Sequence, residues 1–396
     1  MPESKKGSAE IFHPQFILIM LVNVLMFISF FSMLPTMAGY AQTMGASTSG
    51  VGFIMGLLTF TAVFFRLFAG REIDRSGSRR VLVFSTAVIV AVTFLYPQVH
   101  NLTYLALLRV LHGLGWGGFI AVTHVIAADI SPAARQGEAM GYFTLTINLA
   151  MAFAPAVGLA LAGRLGYPGL FYLAGVLIVA DLLLCLAVAE PPRERSPEPS
   201  PLIATASLPA AAVIVLVTLG YAGIINLLPL FGAERGLTQL GWFYAVFSVA
   251  LIASRPVGGR LSDRYGRFAV LWPGILLVAM GLALLAQTHG LGLFLTAAAV
   301  YGIGFGFVHP SLLALTIDLT PPRQRGAAMS TFYSAYDLGV GGGSFLFGSV
   351  AAASGFTLTY WAGACLAALS LPFLSLAARR MQPGARPSAS QAGLGK

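Results

Sequence analysis

The chain repeats itself. Arg66, Gly70, Asp74, Arg75 and Gly77 recur as Arg255, Gly259, Asp263, Arg264 and Gly266, each displaced by 189 positions. The same displacement carries Gly113, Gly115 and Gly117 onto Gly302, Gly304 and Gly306. It also carries Asp129, Pro132, Gly137 and Met140 onto Asp318, Pro321, Gly326 and Met329. One offset held over about 75 residues means two units built on one plan, so a feature of one predicts its mate in the other.

Those units are too apolar for water. Of 396 residues, 57% are hydrophobic and 9% are charged, against about 25% charged in soluble domains. A membrane span needs roughly 20 apolar residues. Twelve such runs are present, at about 15–40, 47–69, 81–99, 102–128, 138–163, 168–189, 207–231, 238–258, 268–288, 291–317, 327–352 and 357–378. The spacing therefore predicts an all-α membrane protein of twelve transmembrane helices in two pseudo-symmetric six-helix bundles. Its units would be a tail (1–13), a bundle (14–189), a linker (190–206), a second bundle (207–380) and a tail (381–396). Proline and charge density forbid a span in the linker, and both tails read as mobile polar chain. The first apolar run is too long for a signal segment and is expected to remain as helix 1.

The net charge of +9 does not read as a nucleic-acid surface. With loops alternating between faces, 18 of the 23 basic residues fall on one face, from Lys5 and Lys6 through Arg79 and Arg80 to Arg379 and Arg380. Positive residues concentrate on the cytoplasmic side. Both termini are thus expected in the cytoplasm, with the chain in the inner membrane. Cys185 and Cys365 lie inside apolar runs and read as packing residues, with no disulfide or metal spacing.

The stretch from Arg66 to Arg80 (RLFAGREIDRSGSRR) resembles the loop motif G-x-x-x-D-R-x-G-R-R of the major facilitator superfamily. The second copy, Arg255 to Arg267, resembles it again, and the likeness extends over the whole chain in span number and linker position. It implies a secondary transporter that alternates between two openings around a central site, most like the twelve-helix drug–proton antiporters. Asp74 and Asp263 would face the N-termini of helices in the opposite bundle, where a carboxylate gains about 0.3–1 kcal/mol. The ten loop residues Arg66, Gly70, Asp74, Arg75, Gly77, Arg255, Gly259, Asp263, Arg264 and Gly266 would then latch the bundles together. The plainer alternative is that their arginines only fix topology. Ala154, Pro155 and Gly158 are similar to the superfamily's antiporter motif G-x-x-x-G-P-x-x-G and favour export; generic small-residue packing is the other reading.

Three buried ionisable groups are candidates for proton coupling. Arg109 resembles the superfamily's helix-4 arginine, unless it snorkels to the interface. Asp337 lies about 16 Å along its helix, on a small polar face of Ser330, Ser334, Gly341, Ser344 and Gly348. It would carry a proton or serve only helix packing. Asp181 is the rival acid. The repeat pairs Asp337 with Asn148, so only the second copy holds an acid there. Phe27, Phe31, Trp116, Asn148, Tyr221, Asn226, Trp242, Phe305, His309, Tyr333 and Tyr336 are the expected cavity residues. Many aromatics and few charges suit a small lipophilic or amphipathic substrate.

The chain is expected to work as a monomer in the bilayer, with protons and a small molecule as partners. No cofactor is expected, since the lysines (Lys5, Lys6 and Lys396) leave no phosphate-binding loop. A proton symporter or facilitator for a small polar solute, such as a sugar or organic acid, keeps the same fold. A membrane enzyme or scaffold is remote, because neither H-E-x-x-H nor G-x-S-x-G occurs.

Overall fold

In the computed structural model, residues 11–132, 135–190, 203–321 and 324–381 are described, and every apolar run among them is helical. The order is α1 (Pro14–Thr43), α2 (Thr48–Ser76), α3 (Ser78–Leu95), α4 (Leu102–Asp129) and α5 (Gln136–Ala187). Then come α6 (Leu208–Glu234), α7 (Leu240–Tyr265), α8 (Arg267–Ala286), α9 (Leu291–Asp318) and α10 (Arg325–Met381). A backbone surrounded by lipid must satisfy its polar groups internally, which the helix does. Ser47 and Asn101 cap α2 and α4 by accepting from Gly50 N at 3.2 Å and Tyr104 N at 2.8 Å.

Ten helices, not the expected twelve, are long and apolar enough to span a membrane among the described residues. The expected pairs 138–163 with 168–189 and 327–352 with 357–378 are each carried by one element. Non-helical backbone breaks α5 at Gly166 (φ 70°) and α10 at Gly355 (φ 79°). Left-handed φ is open to glycine at little steric cost, so one residue turns the chain without a loop long enough to separate the limbs.

These glycines also display the repeat in three dimensions. Gly166 and Gly355 differ by the same 189 positions, and so do Gly77 (φ 96°) and Gly266 (φ 90°), which end α2 and α7. Packing follows the same rule. In the first copy α1 packs on α5, and α4 on both α2 and α3; in the second α6 packs on α10, and α9 on both α7 and α8. Gly113 sits on the α2 backbone at Leu58, and its mate Gly302 sits on the α7 backbone at Phe247. The copies meet where α2 packs on α10, where α5 packs on α7, and where α1 packs on α6.

Most of the expected linker (191–202) and the tails at 1–10 and 382–396 lie outside the described residues. Ile11 and His13, expected in the mobile tail, instead make contacts with the bundle, while Phe12 between them is exposed. Ile11 is buried, and the His13 ring lies 3.0 Å from the Ile130 carbonyl oxygen. At the head of the linker, Glu190 accepts from Ser78 N at 2.7 Å and Arg79 N at 2.8 Å, capping α3 from 112 positions away.

Candidate functional site

The copies enclose a cavity of about 970 Å³, counting the part open to solvent. Its wall is written at helical spacing. α10 contributes Tyr333, Tyr336, Asp337 and Val340, which share one face. Phe27, Phe30, Phe31 and Leu34 come from α1, and Thr144, Ile147 and Met151 from α5.

Two aromatic groups stand on opposite sides of the wall. On one side Phe30 stacks on Trp116 at 3.8 Å between ring centroids, with Phe27 at 5.1 Å from the same indole. On the other, Tyr221 stacks on Phe305 at 4.8 Å, and His309 meets Tyr336 edge-on at 5.7 Å. His124 bridges the copies, its ring 5.2 Å from that of Tyr333. Tyr221 also reaches across, its hydroxyl donating to the Met151 sulfur at 3.3 Å.

Asp337 stands where α10 passes from lining the cavity to packing on α2. There Arg66 Nη2 donates to Asp337 Oδ2 at 2.5 Å, with side-chain exposures of 6% and 15%. The small polar face of α10 continues along α2. Gly56 approaches Gly341, and a Cβ added at Gly52 would strike the Ser344 carbonyl and the Gly348 Cα. The serines of that face are also used, since Asn226 Nδ2 donates to Ser344 Oγ at 2.7 Å. Gly158 is similarly pressed on the α1 backbone at Ser32, while Ala154 is buried and Pro155 sits within α5.

Among the expected cavity residues, Phe27, Phe31, Trp116, Tyr221, Asn226, Phe305, His309, Tyr333 and Tyr336 line the space. Trp242 does not: it is 63% exposed near the start of α7. The Asn148, Asp74 and Asp263 side chains lie outside the described residues, as does that of Gly70's neighbour Arg71. Arg109 turns inward rather than towards the interface. It is buried against α2, with Nε 3.4 Å from the Ile54 carbonyl, and it lines the cavity. Asp181 is fully buried but sits away from the cavity, near Cys185, whose sulfur is 3.6 Å from Thr86 Oγ1. Neither Asp181 oxygen has a hydrogen-bond partner among the described residues.

Arg66 and Arg255, read as latch residues within their helices, both line the cavity. Their position was readable, since Arg66 lies eight residues before Asp74, about 12 Å up the same helix. His124, which no sequence pattern singled out, also faces the cavity. No cluster of metal-ligating side chains occurs among the described residues.

The Major Facilitator Superfamily model matches residues 19–240 and 210–395. Over 375 residues the chain is 25% identical to the uncharacterised MFS-type transporter YhhS of Salmonella typhi, covering 90% of each protein. It is 21% identical over 331 residues to the quinolone resistance protein NorA of Staphylococcus aureus, covering 78% of this chain and 84% of that one. Its fold matches a bacterial homologue of the human lysosomal transporter Spinster, solved in an inward-facing and occupied conformation. There the TM-score is 0.80 at 17% identity, with 92% of this chain and 96% of that one covered.

Proposed function

The chain belongs to the Major Facilitator Superfamily and is a multi-pass membrane transporter, and on that premise we propose that it exports a small amphipathic compound in exchange for protons. Counting the limbs on either side of Gly166 and Gly355 separately gives twelve spans. They form two six-helix bundles, 14–189 and 207–380, joined by the linker 190–206. Both termini lie in the cytoplasm, and the monomer suffices. The bundles rock about the cavity, and the Asp74 and Asp263 loops latch them on the cytoplasmic side.

The observation that carries this reading is the buried Arg66–Asp337 ion pair between the copies. Adding a proton to Asp337 removes the charge that holds Arg66, and with it a bond between α2 and α10. Protonation thereby favours one arrangement of the bundles over the other. Arg109 supports the coupling from α4. Export is further supported by the likeness to NorA, whose name records drug resistance, and by the Ala154–Gly158 segment.

Proteoliposomes test the proposal. An outward-directed proton gradient (acidic lumen) imposed on inside-out vesicles should drive uptake of an amphipathic dye, and collapsing the gradient should stop it. Dye movement indifferent to the gradient would refute coupling.

A second reading keeps the fold and reverses the direction. Once Asp337 is neutral, the released Arg66 guanidinium can hold an acidic solute, so proton and solute travel together. Solute accumulation in the direction of proton flow would select it.

A further inference from the structure

The repeat places two arginines at one position, and only one of them has an acid. Arg66 of α2 and Arg255 of α7 are mates at the offset of 189. Arg66 is neutralised by Asp337 of α10. The mate of Asp337 in the first copy is Asn148, which carries no charge. Among the described residues Arg255 has no hydrogen bond or ion pair, and its Nε is buried without a partner. Yet Arg255 lines the cavity beside Tyr221, His309, Tyr333 and Tyr336.

The third arginine does not restore the balance. Arg109 leans on the Ile54 carbonyl at 3.4 Å and the Met55 sulfur at 3.9 Å, neither of which is charged. The described lining therefore holds three arginines and one aspartate. The aspartate is engaged by Arg66, so an incoming cation meets no free carboxylate. A guanidinium held inside a membrane protein without a counter-charge is costly. An arriving anion removes that cost.

We propose that the cavity binds an organic anion, an aromatic or aliphatic body bearing one carboxylate, with Arg255 as its anchor. This rests on the transport reading above but not on its direction. The guanidinium presents a planar fork that matches a carboxylate through two parallel N–H···O bonds. The body of the ligand lies between the Phe30–Trp116 stack and the Tyr221–Phe305 stack, which face the same space. The repeat thus divides the labour. One copy's arginine is tied to the proton-binding acid, and the other's is left for the solute.

Three probes of one shape separate the charge classes: 2-naphthoate, 2-naphthamide and 2-naphthylmethylammonium. Binding of each to the full chain in lipid nanodiscs is measured by calorimetry. Naphthoate should bind at least about tenfold tighter than the other two. Arg255→Gln should weaken it about tenfold or more, and Arg255→Lys, which keeps the charge and loses the fork, by roughly three- to tenfold. The exposed Arg164→Gln should change nothing. Equal or tighter binding of the amide or the ammonium, no binding of naphthoate, or wild-type affinity in Arg255→Gln would overturn the proposal. Should Arg255→Gln fail to fold, the comparison of the three probes on the wild-type chain still decides it. Flux in proteoliposomes separates this inference from its premise. Naphthoate bound but not moved leaves the anion site standing and defeats the transport reading. Movement of the ammonium alone does the reverse.

Discussion

Arg66 and Asp337 stand 271 positions apart in the chain and 2.5 Å apart in the fold. They belong to different copies of the repeat, and both are largely buried. A charged hydrogen bond therefore joins α2 to α10 at the cavity wall, and a proton on the carboxyl would remove its charge.

Asp337→Asn should leave Arg66 buried without a counter-charge. Removing one partner of a buried ion pair costs about 3–5 kcal/mol, so the melting temperature in detergent should fall markedly. The double variant Arg66→Gln/Asp337→Asn should recover much of that loss while remaining unable to use a proton gradient. Gradient-driven flux at the wild-type rate in Asp337→Asn would dismiss this acid as the carrier.

Solute affinity should depend on pH with a definite sign. In exchange transport the protonated carboxyl favours the arrangement that does not hold solute. Affinity should then fall as pH drops through the titration of Asp337 and be flat in Asp337→Asn. A rise in wild-type affinity on acidification would mean that proton and solute bind together, which is the co-transport reading. Calorimetric titration at a series of pH values reads the sign.

Gly52 and Gly241 are mates, yet only one is crowded. A side chain at Gly52 meets the Ser344 carbonyl and the Gly348 Cα, whereas one at Gly241 finds no atom within 4 Å. Gly52→Leu should wedge α2 from α10, destabilise by about 1–3 kcal/mol and abolish flux. Gly241→Leu should be silent in both assays, and a matched loss in the two variants would contradict the packing described.

Asp181 lies outside the cavity with no partner for its oxygens among the described residues. Asp181→Asn keeps the shape and removes the possibility of charge. It should transport at the wild-type rate and melt at the same temperature or slightly above. Loss of proton-driven flux would move the coupling site to α5.

Asp74→Asn should weaken the loop latch and raise the share of molecules open to the cytoplasm. Single cysteines at Thr144 and Leu34, labelled by a membrane-impermeant maleimide from each side, measure that share. Unchanged labelling and unchanged flux would reduce the loop to a topological marker.

Much of this architecture was legible because the repeat doubles every signal. Gly77 and Gly266 were singled out by spacing alone, and both adopt the same left-handed φ. The small polar face around Asp337 was equally readable, since serine and glycine stand out in an apolar helix. Its facing helix was not, because no local pattern says that α2 supplies the partner. Trp242 shows a different limit. In a membrane helix the lipid-facing side is as apolar as the packed side, so aromatic content does not reveal which way a ring points. Arg66 and Arg255 were visible inside helices, but their place in a loop motif hid the cavity above it. The single-glycine breaks at Gly166 and Gly355 were placed within a few residues, though not as kinks in continuous elements.

Those two breaks bear on how the molecule can move. One residue of left-handed backbone leaves no slack, so the limbs of α5 cannot slide past one another, and neither can those of α10. Each long element turns the chain through a one-residue elbow. The connections between α1 and α2 (44–47) and between α6 and α7 (235–239) are longer and leave more room for the helices they join to shift.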